Sequence, residues 1–297
     1  MGEASASTEG SSERHLLWML AFLKMYEVEE AAASRFGVTE KTWRKWVWIM
    51  LSATQSIKKK VVSSQCTMPI CLTVLGCRHQ VARLTLPFVL PLTPAFPFLH
   101  CSTLLARQIK LSSRFKTNKN NIWYMLSVDG IDFVIQEPSD FSSSWYSHKL
   151  NGLGLRYKIA VSIVGGNICW TNGPFLAGKI NDISIFRRGL MKRLGPNEFV
   201  EADRGYEGQP DKVRLPFEAQ NKDEIHRKGR IMARHESINR ILRKFKALSQ
   251  RWRHPIRGGQ HKVAFDAAIT ITQIAIEIGA TKPFKCEAPY RGVHAEY

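Results

Sequence analysis

The sequence predicts a mixed α/β sandwich, preceded by a helical region with the outline of a helix-turn-helix. Three observations carry this. Short apolar runs bounded by Gly and Asp succeed one another from residue 122 onward, the pattern of meandering strands. "NDISIFRRGLMKRL" then takes a helical period, and "EFVEADRGY" returns to strand character. Two further helical patterns follow, one basic and amphipathic, the other mostly apolar. Three meandering strands, a helix, another strand and more helices make a sheet layered with helices. With 297 residues, 44% of them apolar, the chain can form one large domain plus a small one around a real core.

Residues 1–13 read as a disordered polar tail, unlike a signal peptide. Residues 14–60 read as helical and are a candidate DNA-binding region. One helix runs through "HLLWMLAFLKMY", and Ala-rich turns lead to Gly37-Val38-Thr39. Thr39 is placed to cap a helix that begins near Glu40. Lys41, Arg44 and Lys45 on that helix suit phosphates. The alternative is a plain helical hairpin with Trp43, Trp46 and Trp48 partly in a core.

Residues 61–109 differ from the rest. They hold Cys66, Cys71, Cys77 and Cys101, four of the six cysteines, at spacings that match no zinc or redox pattern. A reducing compartment with free thiols is expected. Leu84 to Ala106 contains no Lys, Arg, Asp or Glu and is long enough to span a membrane. Pro87, Pro91, Pro94 and Pro97 oppose both helix and strand there, so no membrane span is expected. The segment reads as an atypical insert, such as a translated intron.

Residues 110–285 carry the α/β core, and 286–297 form a tail. "IWYMLSVDG" predicts a buried strand ending at Asp129, with a tight turn at Gly130 and a second strand over "DFVIQEP". "LRYKIAVSIVGGNICWTNGP" predicts a hairpin turning at Gly165-Gly166. "EFVEADRGY" ends a fourth strand at Asp203 and Gly205. If strands one and four are parallel neighbours, Asp129 and Asp203 lie side by side. Two adjacent carboxylates repel each other and call for a cation, and Mg²⁺ or Mn²⁺ suits oxygen ligands. Glu236, on a helix among Arg234, Arg240, Arg243 and Lys244, is the third acid, with Arg240 placed to brace it or to meet a phosphate. Its simpler role is a surface salt bridge. Asp182 is either an additional ligand or orienting group, or, with Asn181, a helix N-cap.

The net charge of +18 favours a polyanionic partner, with double-stranded DNA leading. Residues 222–262 hold 13 Lys or Arg against Asp223, Glu224 and Glu236, which suits phosphate contact by Arg234, Arg240, Arg243 and Lys244. In "SSSWYSHK", Trp145 and Tyr146 either stack on a displaced base, with His148 and Lys149 on phosphate, or pack at a strand start. His235 is expected to point away from Glu236 by about 100°. Cys169 and Trp170 are expected to divide between core and surface. Asp132 is expected to be secondary, and Glu137 to close its strand.

Four blocks in order, "SVDGIDF" (127–133), "GKINDISIFRRG" (178–189), "EADRGYEG" (201–208) and "ARHESINRILRKF" (233–245), resemble DDE superfamily endonucleases of the PIF/Harbinger transposase group. They are also similar to bacterial insertion-sequence transposases. The resemblance spans roughly 14–60 and 110–285 and implies an RNase H-like catalytic core. It implies Asp129, Asp203 and Glu236 as catalytic metal ligands and Asp182 as a further Asp between them. Arg243 stands where related transposases often carry a Lys. The implied protein is a nuclear, divalent-metal-dependent DNA endonuclease that cuts and rejoins DNA by two-metal chemistry. A Myb-like accessory protein and assembly as an oligomer on DNA are implied partners. The competing expectation is a transposase-derived DNA-binding protein that has lost catalysis. The 61–109 insert has no place in the family pattern.

Overall fold

The computed structural model describes residues 10–58, 116–117, 122–139, 142–163, 166–195, 198–215, 222–256 and 258–281. The expectations for residues 1–9, for the 61–109 insert and for the 286–297 tail lie outside the described residues. The fold is mixed α/β, a central mixed sheet with helices against it. Helices α1 (Glu13–Met25), α2 (Glu29–Arg35) and α3 (Glu40–Ser56) come first. Strands β1 (Lys116–Thr117), β2 (Ile122–Val134), β3 (Tyr146–Ser147), β4 (Gly152–Ser162) and β5 (Ile168–Leu176) follow. Helix α4 (Asp182–Arg188) leads to β6 (Glu198–Glu201) and β7 (Val213–Arg214). Helices α5 (Lys222–Leu242), α6 (Lys246–Ser249) and α7 (Gln260–Glu277) complete it.

The sheet runs β3-β4-β2-β6-β7, with β5 also paired to β4 and β1 to β2. Strand β4 is antiparallel to both of its neighbours, β2 and β5, whereas β6 lies parallel to β2 and β7 parallel to β6. Alternation along β2 divides its residues between two cores. Ile131 and Phe133, with Tyr157 and Ile159 of β4, join α1, α3, α5 and α7 through Phe22, Val47, Ile238 and Phe265. Leu126 and Val128, with Ala160, face Phe186, Leu190 and Tyr206 instead.

One expected turn is absent. Strand β2 runs unbroken through Asp129 and Gly130, pairing with β4 from Leu126↔Ser162 to Val134↔Gly154. Gly130 serves close approach rather than a turn: a Cβ there would lie 2.6 Å from Lys158 Nζ. Thus "DFVIQEP" continues the first strand, and the second long strand is β4. Strand β5 is covered on both faces at its start, so Cys169 and Trp170 are both buried rather than divided. The basic helix begins earlier than its sequence suggests and breaks before α6.

The N-terminal helices pack onto the sheet domain. Thr39 Oγ1 accepts from Thr42 N at 3.3 Å, the expected cap. Trp43, Val47 and Leu51 form the buried stripe of α3. Tyr26 stacks on Trp252 with centroids 5.5 Å apart, and Arg253 N donates to Tyr26 Oη at 2.8 Å. Trp252 in turn bridges to Ile135, extending the far end of β2. Fully burying such a ring contributes about 3 kcal/mol. At the other end of α3, Gln55 and Lys58 bond to buried Asp266 of α7. Lys41 and Lys45 remain exposed, while Arg44 is ion-paired to Glu29 and Glu40. Among the described residues no helix is long and apolar enough to cross a membrane.

Candidate active site

The parallel β2–β6 pair sets the site. Ser127 is level with Glu201 in that register. Two residues further on come Asp129, inside β2, and Asp203, just past the end of β6. Period-two alternation therefore brings these two acids level on adjacent chains. Asp129 is buried, and its Oδ1 accepts from Gly130 N at 2.6 Å. Asp203 caps a short 3₁₀ turn, its Oδ1 accepting from Gly205 N at 3.0 Å. Burial pushes the Asp203 carboxyl above the usual range, and the charges of Asp129 and Asp182 add to the rise. The Gly205 N–H and the Lys149 charge oppose the rise in part.

Asp182 approaches from the first turn of α4. Asn181, not Asp182, is the N-cap, accepting from Ser184 N at 3.1 Å. Asp182 Oδ1 instead lies 2.7 Å from Lys158 Nζ and 3.2 Å from Arg156 Nη1. Its other oxygen faces Gly205: a Cβ there would stand 3.2 Å from Asp182 Oδ2 and 3.1 Å from Asp203 Oδ1. Lys158 is only 1% exposed, passes beside Gly130, and sits 4.8 Å over the Tyr206 ring. Burial lowers its pKa, opposed by Asp182 and Asp129. Arg156 Nε and Nη2 also hold Asp132 at 2.8 and 2.9 Å. Burial pushes the Asp132 carboxyl up, but hydrogen bonds from Arg156 and Ser147 outweigh it and leave it low. Two carboxylates thus have fixed internal partners. The exposed Lys149 ammonium lies 3.7 Å from Asp129 Oδ1, and its charge also acts on Asp203.

Helix α5 supplies a different residue from the one expected. His235 turns inward and its Nδ1 lies 3.1 Å from Ser127 Oγ, while Nε2 has no hydrogen-bond partner. Burial lowers its pKa to about 4, so the ring is neutral. Glu236 is exposed on the adjoining face, and no ion pair joins it to Arg240 among the described residues. Of the phosphate candidates, Arg240, Arg243 and Lys244 are exposed. Arg234 is a correction: it is buried and donates to the Ile163 carbonyl, because the inward stripe of α5 includes it.

Sequence reasoning missed the roles of Lys158 and Arg156. Their signal was present in "LRYKIAV": two cations two residues apart on one face of a core strand require anionic partners on that face.

Among the described residues no group of three or more His, Cys, Asp or Glu is gathered to hold a metal ion. The donor chemistry of the Asp129–Asp203 pair nonetheless fits a hard cation. Mg²⁺ is usually held through one or two carboxylates, with waters and substrate phosphate supplying the rest. In comparisons with known proteins, the chain matches no family model, no curated sequence and no solved structure.

Proposed function

We propose that the protein is a divalent-metal-dependent DNA endonuclease of the DDE transposase type, acting on DNA phosphodiesters in the nucleus. The observation that carries the reading is the parallel β2–β6 register, in which Asp129 and Asp203 each stand two residues past the Ser127–Glu201 pair, with the Asp203 carboxyl raised by burial and by the Asp129 charge. The antiparallel run β2-β4-β5, followed by a helix and by β6 parallel to β2, supports the RNase H-like reading. Asp129 and Asp203 are the residues that would hold Mg²⁺ or Mn²⁺, with Glu236 and Asp182 as the further ligands the resemblance implies. Held there, the ion would supply Lewis-acid activation of water or a DNA 3′-hydroxyl and charge stabilisation for the leaving oxygen. The chain itself contributes alignment: Gly130 and Gly205 fix the two carboxylates by backbone N–H bonds. Exposed Arg240, Arg243 and Lys244 hold the DNA backbone. A Myb-like accessory protein and an oligomer on DNA belong to the same reading.

A second reading, a DNA-binding protein without catalysis, is favoured by one observation: Glu236 faces solvent. Nicking of supercoiled DNA with Mg²⁺ or Mn²⁺ separates the two. Cleavage by wild type that is abolished in Asp129→Asn supports the nuclease. Tight binding with no cleavage by either protein supports the binder.

A further inference from the structure

The turn after the 3₁₀ segment Ser143–Trp145 is held at several points. Ser147 Oγ donates to Asp132 Oδ2 at 2.6 Å, and Leu150 N donates to Ser147 Oγ at 3.3 Å. Gly178 N donates to Ser144 O at 2.9 Å. Strand β3 pairs with β4 through Tyr146↔Leu153 and Ser147↔Gly152. With Trp145 and Ser147 buried, alternation turns Tyr146 and His148 outward. Tyr146 is 37% exposed, and its ring meets His148 edge-on at 5.3 Å. Next in the chain, Lys149 is 46% exposed on its side chain and donates to the Gly130 carbonyl at 3.3 Å beside Asp129. Two paired aromatic rings therefore directly precede in the chain an ammonium that lies beside Asp129.

We infer that Tyr146, His148 and Lys149 grip one unpaired nucleotide next to the reacting phosphate. Lys149 takes a phosphate oxygen and the Tyr146 ring takes the base. The inference rests on the nuclease reading of Asp129 and Asp203 and adds a preference to it. An exposed ring stacks on a base face, and in a duplex those faces are covered by neighbouring bases. A nucleotide freed from pairing offers a face and a phosphate together, whereas an acidic peptide offers no such face. The charge of +18 agrees with a polyanionic strand. Fixed backbone around the edge keeps the ordering cost of the grip small.

The test is equilibrium binding of the full chain, without divalent metal, to two DNAs. One carries an unpaired 2-aminopurine end, and the other has the same sequence fully paired. Tyr146→Leu and Lys149→Gln are each expected to weaken binding to the unpaired end about tenfold, and to the paired DNA less than twofold. Tyr146→Trp is expected to restore both affinity and quenching of the 2-aminopurine. Equal losses on both DNAs, no loss on either, or failure of Tyr146→Trp to restore quenching overturns the inference alone. A wild-type protein that binds neither DNA overturns the nuclease reading with it.

Discussion

Lys158 Nζ and Asp182 Oδ1 stand 2.7 Å apart in the interior, joining the second strand of the antiparallel set to the helix that follows it. The pair is possible because Gly130 presents no side chain where the lysine passes. It neutralises one of the carboxylates around the site and leaves Asp129 with the exposed Lys149 as its ion-pair partner. Buried charges of this kind are strongly destabilising when one partner is removed.

Lys158→Met should therefore lower the unfolding free energy by about 3 kcal/mol, measured by urea denaturation without divalent metal. Gly130→Ala should lower it by about 1–3 kcal/mol, because the new methyl meets the tied ammonium. Unchanged denaturation midpoints in both variants would remove the buried pair as an organiser of the site.

Asp203 predicts a stability gain from a conservative loss. Its folded carboxyl titrates above its unfolded value. Ionisation then disfavours the fold, and stability falls as pH rises through the folded pKa. At neutral pH in EDTA, Asp203→Asn should melt a few degrees higher than wild type, on the order of 2 °C. Mg²⁺ or Mn²⁺ should raise the wild-type melting temperature and leave Asp203→Asn nearly unmoved. Identical melting behaviour of the two proteins, with and without metal, would count against a carboxylate pair awaiting a cation.

Asp266 carries the opposite sign. Burial pushes its carboxyl up, but Lys58, Lys262 and the Gln55 hydrogen bond outweigh that and hold it below the usual 3.8. The stability it contributes is fully present above that value and is lost as pH falls through the lower folded pKa. Asp266→Asn should be about 3 kcal/mol less stable than wild type at pH 6. In urea titrations between pH 4 and pH 2 the gap between the two proteins should narrow. A gap that stays constant would show that the network contributes through packing alone.

Arg234 and its neighbours on α5 should separate by function. Arg240→Gln, Arg243→Gln and Lys244→Gln should each weaken DNA binding and reduce the salt-dependence slope by about 1. Arg234→Gln should keep that slope and lower the melting temperature, since its guanidinium bonds to the Ile163 carbonyl. Equal slopes in all four variants would place the DNA on another face.

The sequence by itself determined the order and type of most elements. Thr39 before Glu40 and the buried run in α7 follow from local capping and period, whereas the buried stripe of α3 is Trp43, Val47 and Leu51 rather than the three tryptophans. The sequence also placed Asp129 and Asp203 each at a strand end, whereas Asp129 lies inside β2 and Asp203 two residues past β6. Tertiary structure decided what these residues meet. Gly130 reads as a turn locally, yet pairing with β4 over the whole length of β2 keeps it extended. Arg234 and Glu236 look equivalent on a basic helix, but the seat of α5 against the sheet buries the first and exposes the second. Asp182 looks free until β4 brings Arg156 and Lys158 to it. Local patterns fix conformation through interactions a few residues apart. Which charges become partners depends on strand register and helix rotation, which only the packed chain sets.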